Sequence, residues 1–160
     1  MEKINCFSHG TVICGLASHE KFQAIHELIY KVPVFKDLDR IDYLEKAVVR
    51  RERIQSTGLG RGVAVAHGKA PSGERIVIAL GISREGIAFD STDGLPVHFL
   101  FVIANPPGMQ PEYLLALSIL IRIIRNDDFR NNLLLCVDSY EAETMLNRAF
   151  NEWMLKRCLL

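Results

Sequence analysis

The sequence has no excess of charge of either sign and no hydrophobic run long enough to cross a membrane. Nineteen basic residues balance nineteen acidic ones among 160 residues, so the formal net charge is zero. This balance removes the general electrostatic attraction that draws basic proteins to nucleic acid or to anionic membranes. The longest apolar stretches, 76–82 and 95–104, are far shorter than the ~20 residues of a membrane span. The composition therefore predicts no nucleic-acid partner and no membrane insertion.

The sequence also lacks the features of a secreted or a metal-binding protein. Its first residues have no continuous apolar core and no small-residue cleavage site, which predicts a cytoplasmic location. There is no C-x-x-C pair and no histidine at zinc-site spacing from a cysteine. The four cysteines are scattered, at Cys6, Cys14, Cys136 and Cys158. We expect free, mostly buried thiols, no bound metal and no cofactor.

Strand-like and helix-like segments alternate along the sequence. Short β-branched or apolar runs predict strands at 11–16, 63–67, 75–82, 87–89 and 97–104. Apolar residues at helical spacing predict helices at 20–32, from 37 or 39 to a basic end near 50–53, at 111–125, at 127–134, and from 139 onwards. With no repeat or linker, this pattern predicts an α/β fold: one domain, residues 1–160, with a mixed β-sheet flanked by helices on both faces.

Several residues are expected to set the ends and faces of these helices. Ser18 is a natural N-cap for the first helix, and Pro33 is expected to stop it. Residues 138–141 form a capping-box-like start for the last helix. In the long helix at 111–125, one apolar row is formed by Leu114, Leu117, Ile121 and Ile124.

A glycine-rich segment precedes the most notable histidine. Three alternate glycines within 56–62 cannot occupy a regular helix or a central strand, which predicts a shaped loop. The order of elements around it is the reverse of a dinucleotide fingerprint, and no Gly-Lys-Ser/Thr follows, so nucleotide binding is not expected. His67 then lies where the predicted strand meets the following loop.

The other histidines have weaker claims. His19 and His26 are two helical turns apart, about 10.5 Å along the axis, which is too far to chelate one metal ion. His98 lies within an apolar strand and is best interpreted as a sheet residue. His9 has no informative neighbours.

Cationic side chains surround His67 in the sequence. Arg51 and Arg53 come before the glycine segment, Arg61 lies in it, and Lys69 follows two residues after His67. Such a place can receive a dianion. In the alternative interpretation, the arginines complement the carboxyl end of a helix and the lysine is solvated.

Two motifs together resemble type 2 enzyme IIA domains of the phosphoenolpyruvate-dependent sugar phosphotransferase system, in its mannitol, fructose and nitrogen-regulatory branches. The first is residues 51–69, RERIQSTGLGRGVAVAHGK, which closely resembles the family's active-site stretch. The second is residues 89–97, FDSTDGLPV, which is similar to the family's D-G-x-P-V segment. The helix at 113–118, YLLALS, is similar to a further block. The likeness covers nearly the whole chain.

The resemblance implies a phosphotransferase component that works through a phosphohistidine. By motif position, His67 would accept a phosphoryl group from phosphohistidine carrier protein and pass it to a IIB domain, and Arg51 falls on the family's pocket arginine. We expect Ser56, Thr57 and Tyr113 to be secondary phosphoryl-binding groups. The family fold, a mixed β-sheet flanked by helices, agrees with the predicted order of elements.

Two departures from the family pattern leave alternatives open. Ala66 replaces the usual proline before the active histidine, and Tyr113 replaces a second histidine that many members carry. The chain resembles free-standing nitrogen-regulatory proteins most. The alternatives are a non-catalytic regulatory module that binds a partner through the same face, and a stand-alone IIA component of a sugar permease. Glu52 has a weaker claim and is expected only to pair with an arginine.

Overall fold

A five-stranded mixed sheet forms the centre of the computed structural model, which describes residue 7 and residues 9–159, apart from the side chain of residue 158. The strands are β1 (Val12–Ile13), β2 (Gly58–Gly60), β3 (Val63–Lys69), β4 (Val77–Ile87) and β5 (Val97–Asn105), arranged in the order β1-β4-β5-β3-β2. The β1–β4 and β3–β5 pairs are parallel, whereas β4–β5 and β2–β3 are antiparallel. The expectations for Cys6 and the Cys158 thiol lie outside the described residues.

Helices cover both faces of this sheet. They are α1 (Lys21–Lys31), α2 (Pro33–Lys36), α3 (Ile41–Ile54), α4 (Gln110–Ile124), α5 (Asp127–Leu134) and α6 (Ser139–Cys158). Apolar residues of α1, α2 and α3 bury one face of the sheet, and those of α4, α5 and α6 bury the other. The predicted α/β fold with flanking helices is confirmed. Across the described ranges, none of the helices is long and apolar enough to span a membrane.

Some predicted boundaries are wrong for local reasons. The first helix does end before Pro33, as expected, but Pro33 also begins the short helix α2, because the first position of a helix needs no backbone N–H. The first helix has Glu20 as its N-cap, and Ser18 does not cap it: the Ser18 hydroxyl donates to Glu27 instead. The strand expected at 75–82 extends to Ile87 as β4, and its pairing with β5 shifts register between Ile82 and Ile87. Of the separate strand expected at 87–89, only an isolated bridge from Ala88 to Glu20 lies outside β4.

The apolar row expected in the long helix is mostly not the buried one. Of that row only Ile124 is buried, and Leu114 is 54% exposed. The buried face of α4 instead carries Tyr113, Ala116, Ile119, Leu120, Ile123 and Ile124. Because α4 is apolar on most of its circumference, periodicity in the sequence does not identify the face that meets the sheet.

The glycine-rich segment is partly a strand. Gly58–Gly60 forms β2, a short edge strand with an irregular register beside β3. The lack of side chains here has a steric cause, since a Cβ on Gly58 would lie 2.5 Å from Ser91 Oγ and one on Gly60 would lie 3.1 Å from Asp93 Oδ2. Segments 51–69 and 89–97 are therefore packed directly against each other.

Helix α3 lies unusually close to β3. A Cβ on Gly68 would come within 2.7 Å of the backbone nitrogen of Val48, so only glycine permits this approach. Side chains of a strand alternate between faces, so His67 points to the opposite face, where it meets Tyr113 of α4. The close packing at Gly68 brings the last turn of α3 to the strand that carries His67.

A buried carboxylate fixes the segment that leads into α1. Glu27 accepts hydrogen bonds from the backbone amides of Ala17 and Ser18, at 2.9–3.0 Å, and from Lys31 Nζ at 3.2 Å. Burial raises the pKa of this carboxyl, but the hydrogen bonds from Ala17, Ser18 and Lys31 outweigh burial and lower the pKa from 4.5 to about 2. The ionised form is thus preferred in the folded state.

We predict that Glu27→Gln destabilises the protein by about 2 kcal/mol at pH 7, the usual size for hydrogen bonds to a charged group. A lowered pKa in the folded state stabilises above the unfolded value of 4.5, and this contribution is lost as the pH falls to about 2. The difference in unfolding free energy between the variant and the original should therefore shrink over that range in denaturant titrations. The control is Glu20→Gln at an exposed carboxylate; equal losses in the two variants would contradict this prediction.

Candidate functional site

His67 lies near the carboxyl end of β3, at the edge of the sheet where β5 also ends. It pairs in register with Ile103 of β5, and the strand continues two residues beyond it, to Lys69, rather than ending there as expected. Because β3 and β5 are parallel, the chain that leaves β5 enters α4 close to His67. This connection brings Tyr113 to the histidine, with ring centroids 5.7 Å apart.

The imidazole of His67 is half-buried and oriented by its own strand. Its Nδ1 lies 3.4 Å from the carbonyl oxygen of Val65, a long contact in which Nδ1–H donates. Within the described part of the chain, no hydrogen bond engages Nε2. This arrangement favours the tautomer that leaves a lone pair on Nε2.

The surroundings of His67 favour the neutral ring. Burial lowers the pKa of His67 below 6.5, and the positive charge of Arg51 lowers it further. The Val65 carbonyl and the charge of Glu52 act in the opposite direction and only partly compensate. At neutral pH the imidazole is therefore uncharged and nucleophilic.

Among the described residues, Arg51 is the cation whose charge acts on the pKa of His67. It lies in the last turn of α3, and its Nη1 donates to the carbonyl oxygen of Gln55 at 2.9 Å. Its charge lowers the pKa of both His67 and Tyr113. Burial has the larger effect on Tyr113 and raises its pKa above 10, so the phenol keeps its proton at neutral pH. The structure thus brings His67, Arg51 and Tyr113 together.

The hydroxyl protons of Ser56 and Thr57 are used within the glycine-rich segment. Ser56 Oγ donates to the Phe89 carbonyl at 2.8 Å and accepts from the Gly58 amide at 3.2 Å. Thr57 Oγ1 donates to Glu52 at 2.5 Å. In this structure both side chains shape the segment, and their binding of a phosphoryl group stays a prediction.

The expectation that Glu52 pairs with an arginine is wrong. Its side chain is fully buried, and it accepts from the Thr57 amide at 2.9 Å and lies 3.2 Å from Lys21 Nζ. Lys21 itself lies 5.0 Å from the ring centroid of Phe89. No spacing signal connects Lys21, at the start of α1, with the glycine-rich segment, so sequence reasoning missed this residue. The ammonium of Lys21 offsets part of the buried charge of Glu52, and the pair anchors the glycine-rich segment.

Two of the cations that surround His67 in the sequence have partners elsewhere. The Arg53 guanidinium lies 5.6 Å from the ring centroid of Phe22. Arg61 is 3.9 Å from Asp127 and reaches the carbonyl oxygen of Arg125 at 3.5 Å. Neither of these contacts is with the carboxyl end of α3, where the alternative interpretation placed the arginines; Arg51 makes that contact, through the Gln55 carbonyl.

The remaining histidines take part in local contacts. His98 Nδ1 lies 2.8 Å from the Ser83 carbonyl oxygen, as expected of a sheet residue. His19 pairs with Glu85, at 3.2 Å, and His26 with Glu45, at 2.6 Å. Over residues 7 and 9–159, no group of three or more histidine, cysteine or acidic side chains could hold a metal ion.

Comparisons with known proteins agree on one family. The model of the family described as "Phosphoenolpyruvate-dependent sugar phosphotransferase system, EIIA 2" matches residues 5–149. The chain is 33% identical over 124 residues to the "PTS system fructose-specific EIIABC component" of Bacillus subtilis, which covers 78% of this chain and 20% of that protein. It is 31% identical over 122 residues to the "Nitrogen regulatory protein" of Bradyrhizobium diazoefficiens, which covers 76% of this chain and 79% of that protein.

A solved structure agrees with these sequence relatives. The nitrogen regulatory protein IIA-Ntr from Neisseria meningitidis superposes with a TM-score of 0.77 at 26% sequence identity. The alignment covers 91% of this chain and 97% of that one. The layered sheet described above is therefore the fold of an enzyme IIA protein.

We predict that Arg51→Gln raises the pKa of His67, because the variant loses a charge that disfavours the imidazolium form. The original protein should titrate below 6.5, and Arg51→Lys should stay closer to it than Arg51→Gln. Chemical shifts of the His67 ring protons, followed by NMR against pH, measure all three values. An unchanged or lower pKa in Arg51→Gln would show that the guanidinium does not act on this ring.

Proposed function

Because the chain belongs to the EIIA 2 family of the phosphoenolpyruvate-dependent sugar phosphotransferase system, we propose that it is a phosphocarrier whose nucleophile is His67. Phosphohistidine carrier protein is the donor, and a IIB domain or a regulatory target receives the phosphoryl group or responds to it. One observation carries the proposal: Nε2 of a neutral, half-buried imidazole is free of hydrogen bonds within the described chain, and the ring is packed near Tyr113 and is acted on by the charge of Arg51.

Phosphoryl transfer to His67 requires mainly that the nucleophile is correctly positioned and that the negative charge of the transition state is stabilised. The Nε2 lone pair of His67 attacks the phosphorus of the donor's phosphohistidine, a new N–P bond forms, and the N–P bond to the donor's ring breaks. Negative charge spreads over the three equatorial oxygens in a loose transition state. Arg51 is placed to neutralise part of this charge, and the Tyr113 hydroxyl is a neutral donor. The contact between Nδ1 and Val65 keeps the ring oriented throughout.

Protein partners must reach His67, and exposed apolar side chains occur on the two helices that carry Arg51 and Tyr113. Ile54 follows Arg51 at the end of α3 and is 77% exposed, and Leu114 follows Tyr113 and is 54% exposed. Small apolar surfaces of this kind suit transient encounters between carriers. They support exchange with proteins rather than with a small molecule.

The nitrogen-regulatory type is the branch that we favour. The likeness to the Bradyrhizobium nitrogen regulatory protein extends over 79% of that protein, and the Neisseria IIA-Ntr structure shares the fold at 26% identity. In this role the phosphorylation state of His67 is itself the signal.

A sugar-specific role is the second candidate, since the identity to the fructose-specific component is 33%. The two roles differ in their acceptor. A sugar-specific protein hands the phosphoryl group rapidly to a IIB cysteine, whereas a regulatory protein keeps it when IIB is present. Adding a fructose-type IIB domain to the phosphorylated protein therefore separates them.

The departures from the family pattern do not remove the chemistry. Ala66 is fully buried and held in register with Val102 of β5, so the sheet supplies the extended backbone that a proline would fix. Tyr113 remains a protonated donor at neutral pH. A non-catalytic module would need neither the free Nε2 of His67 nor a cation beside it.

We predict that incubation with phosphoenolpyruvate, enzyme I and phosphohistidine carrier protein adds one acid-labile phosphoryl group to the protein. His67→Ala should abolish the gain in intact mass, because the nucleophile is removed. His98→Ala should keep it, because that ring is committed to the sheet through the Ser83 carbonyl.

Circular dichroism of both variants would confirm that they are folded. Labelling that survives His67→Ala would overturn the assignment of the nucleophile. The absence of labelling in the original protein would favour the non-catalytic module.

A further inference from the structure

A phosphoryl group on His67 would carry more negative charge than Arg51 can neutralise. Phosphorylated side chains carry about −1.5 to −2 charges near neutral pH. Of the cations in the described part of the chain, only Arg51 lies where its charge lowers the pKa of His67. The other charge that acts on His67 is the negative charge of Glu52, whose carboxylate is paired with Lys21. Roughly half to one negative charge on the phosphoryl group is left without a counter-charge.

Lys69 is placed to supply the missing charge. It is the last residue of β3, two positions after His67, so its side chain starts on the same face of the strand, roughly 6–7 Å further along. It is exposed, and within the described residues it makes no ion pair and no hydrogen bond. A lysine stem of four carbons is long enough to return over that distance. Arg53 and Arg61, the alternatives suggested by the sequence, are engaged with Phe22 and Asp127.

We propose that Lys69 is a second cation of the site and binds the phosphoryl oxygens once the group has arrived on His67. The inference rests on the proposed function, since it requires that His67 be phosphorylated. Before transfer, the ammonium of Lys69 remains in solvent and leaves Nε2 accessible. After transfer, it folds back over the strand and stabilises the phosphorylated state together with Arg51. A lysine suits this task because it acts as a mobile point charge, whereas Arg51 is held by the Gln55 carbonyl.

The direct test measures the equilibrium of phosphoryl exchange with phosphohistidine carrier protein. Lys69→Gln should shift the equilibrium constant about fivefold towards the carrier protein, the size expected for losing one solvent-exposed charge pair. Lys69→Arg should restore most of the original value. The matched control is Lys36→Gln, at an equally unpaired, exposed lysine in α2, on the opposite side of the sheet. It should not change the equilibrium. Raising the ionic strength should narrow the difference between the original protein and Lys69→Gln.

A second readout concerns the phosphoryl group alone. A neighbouring ammonium favours the dianion, so the phosphoryl pKa, followed by phosphorus NMR, should be higher in Lys69→Gln than in the original protein. A role limited to docking would slow exchange without changing the equilibrium constant or this pKa, and that result would overturn the proposal. The proposal would also be overturned if the original protein is phosphorylated but its exchange equilibrium constant equals that of Lys69→Gln. An original protein that is not labelled would overturn the proposed function and this inference together.

Discussion

The close contact between α3 and β3 at Gly68 is the constraint on which the candidate site depends. No side chain other than hydrogen fits between the strand and the backbone of Val48. The contact sets the distance between α3 and the sheet. It therefore also sets the position of Arg51, which lies in the last turn of α3. His67 precedes Gly68 in β3, and its side chain points to the other face of the sheet. Arg51 acts on the pKa of His67 from the carboxyl end of α3. Strand alternation and one glycine together define the site.

Buried carboxylates hold the segments around this frame. Glu52 accepts from the Thr57 amide and pairs with Lys21, which ties the glycine-rich segment to α3 and α1. Glu27 and Glu143 do the same elsewhere, accepting backbone amides at 17–18 and at 10–12. Each of these carboxylates satisfies backbone donors of a segment that leaves or enters the sheet. Glu52 still raises the pKa of His67, but Thr57 and Lys21 hold its carboxylate in one fixed position.

Much of this arrangement could be predicted from the sequence, and the predictions that were wrong or missing have identifiable physical reasons. The central strands have short apolar runs, and the motifs at 51–69 and 89–97 indicated His67 and Arg51 as neighbours. Periodicity could not identify the inner face of α4, since Leu114 and Leu120 are equally apolar. The Glu52–Lys21 pair joins residues far apart in the chain, and no local pattern encodes it. Ser18 has the residue type of a helix cap, but Glu27 competes for its hydroxyl.

The central claim is that Nε2 of a neutral His67 is the nucleophile, with Nδ1 held by the Val65 carbonyl. The most direct measurement is nitrogen-15 and phosphorus NMR of the phosphorylated protein, which distinguishes the two ring nitrogens by their coupling to phosphorus. The account predicts coupling at Nε2 of His67 and a proton retained on Nδ1. Phosphorus bound to Nδ1, or to any other side chain, would contradict it.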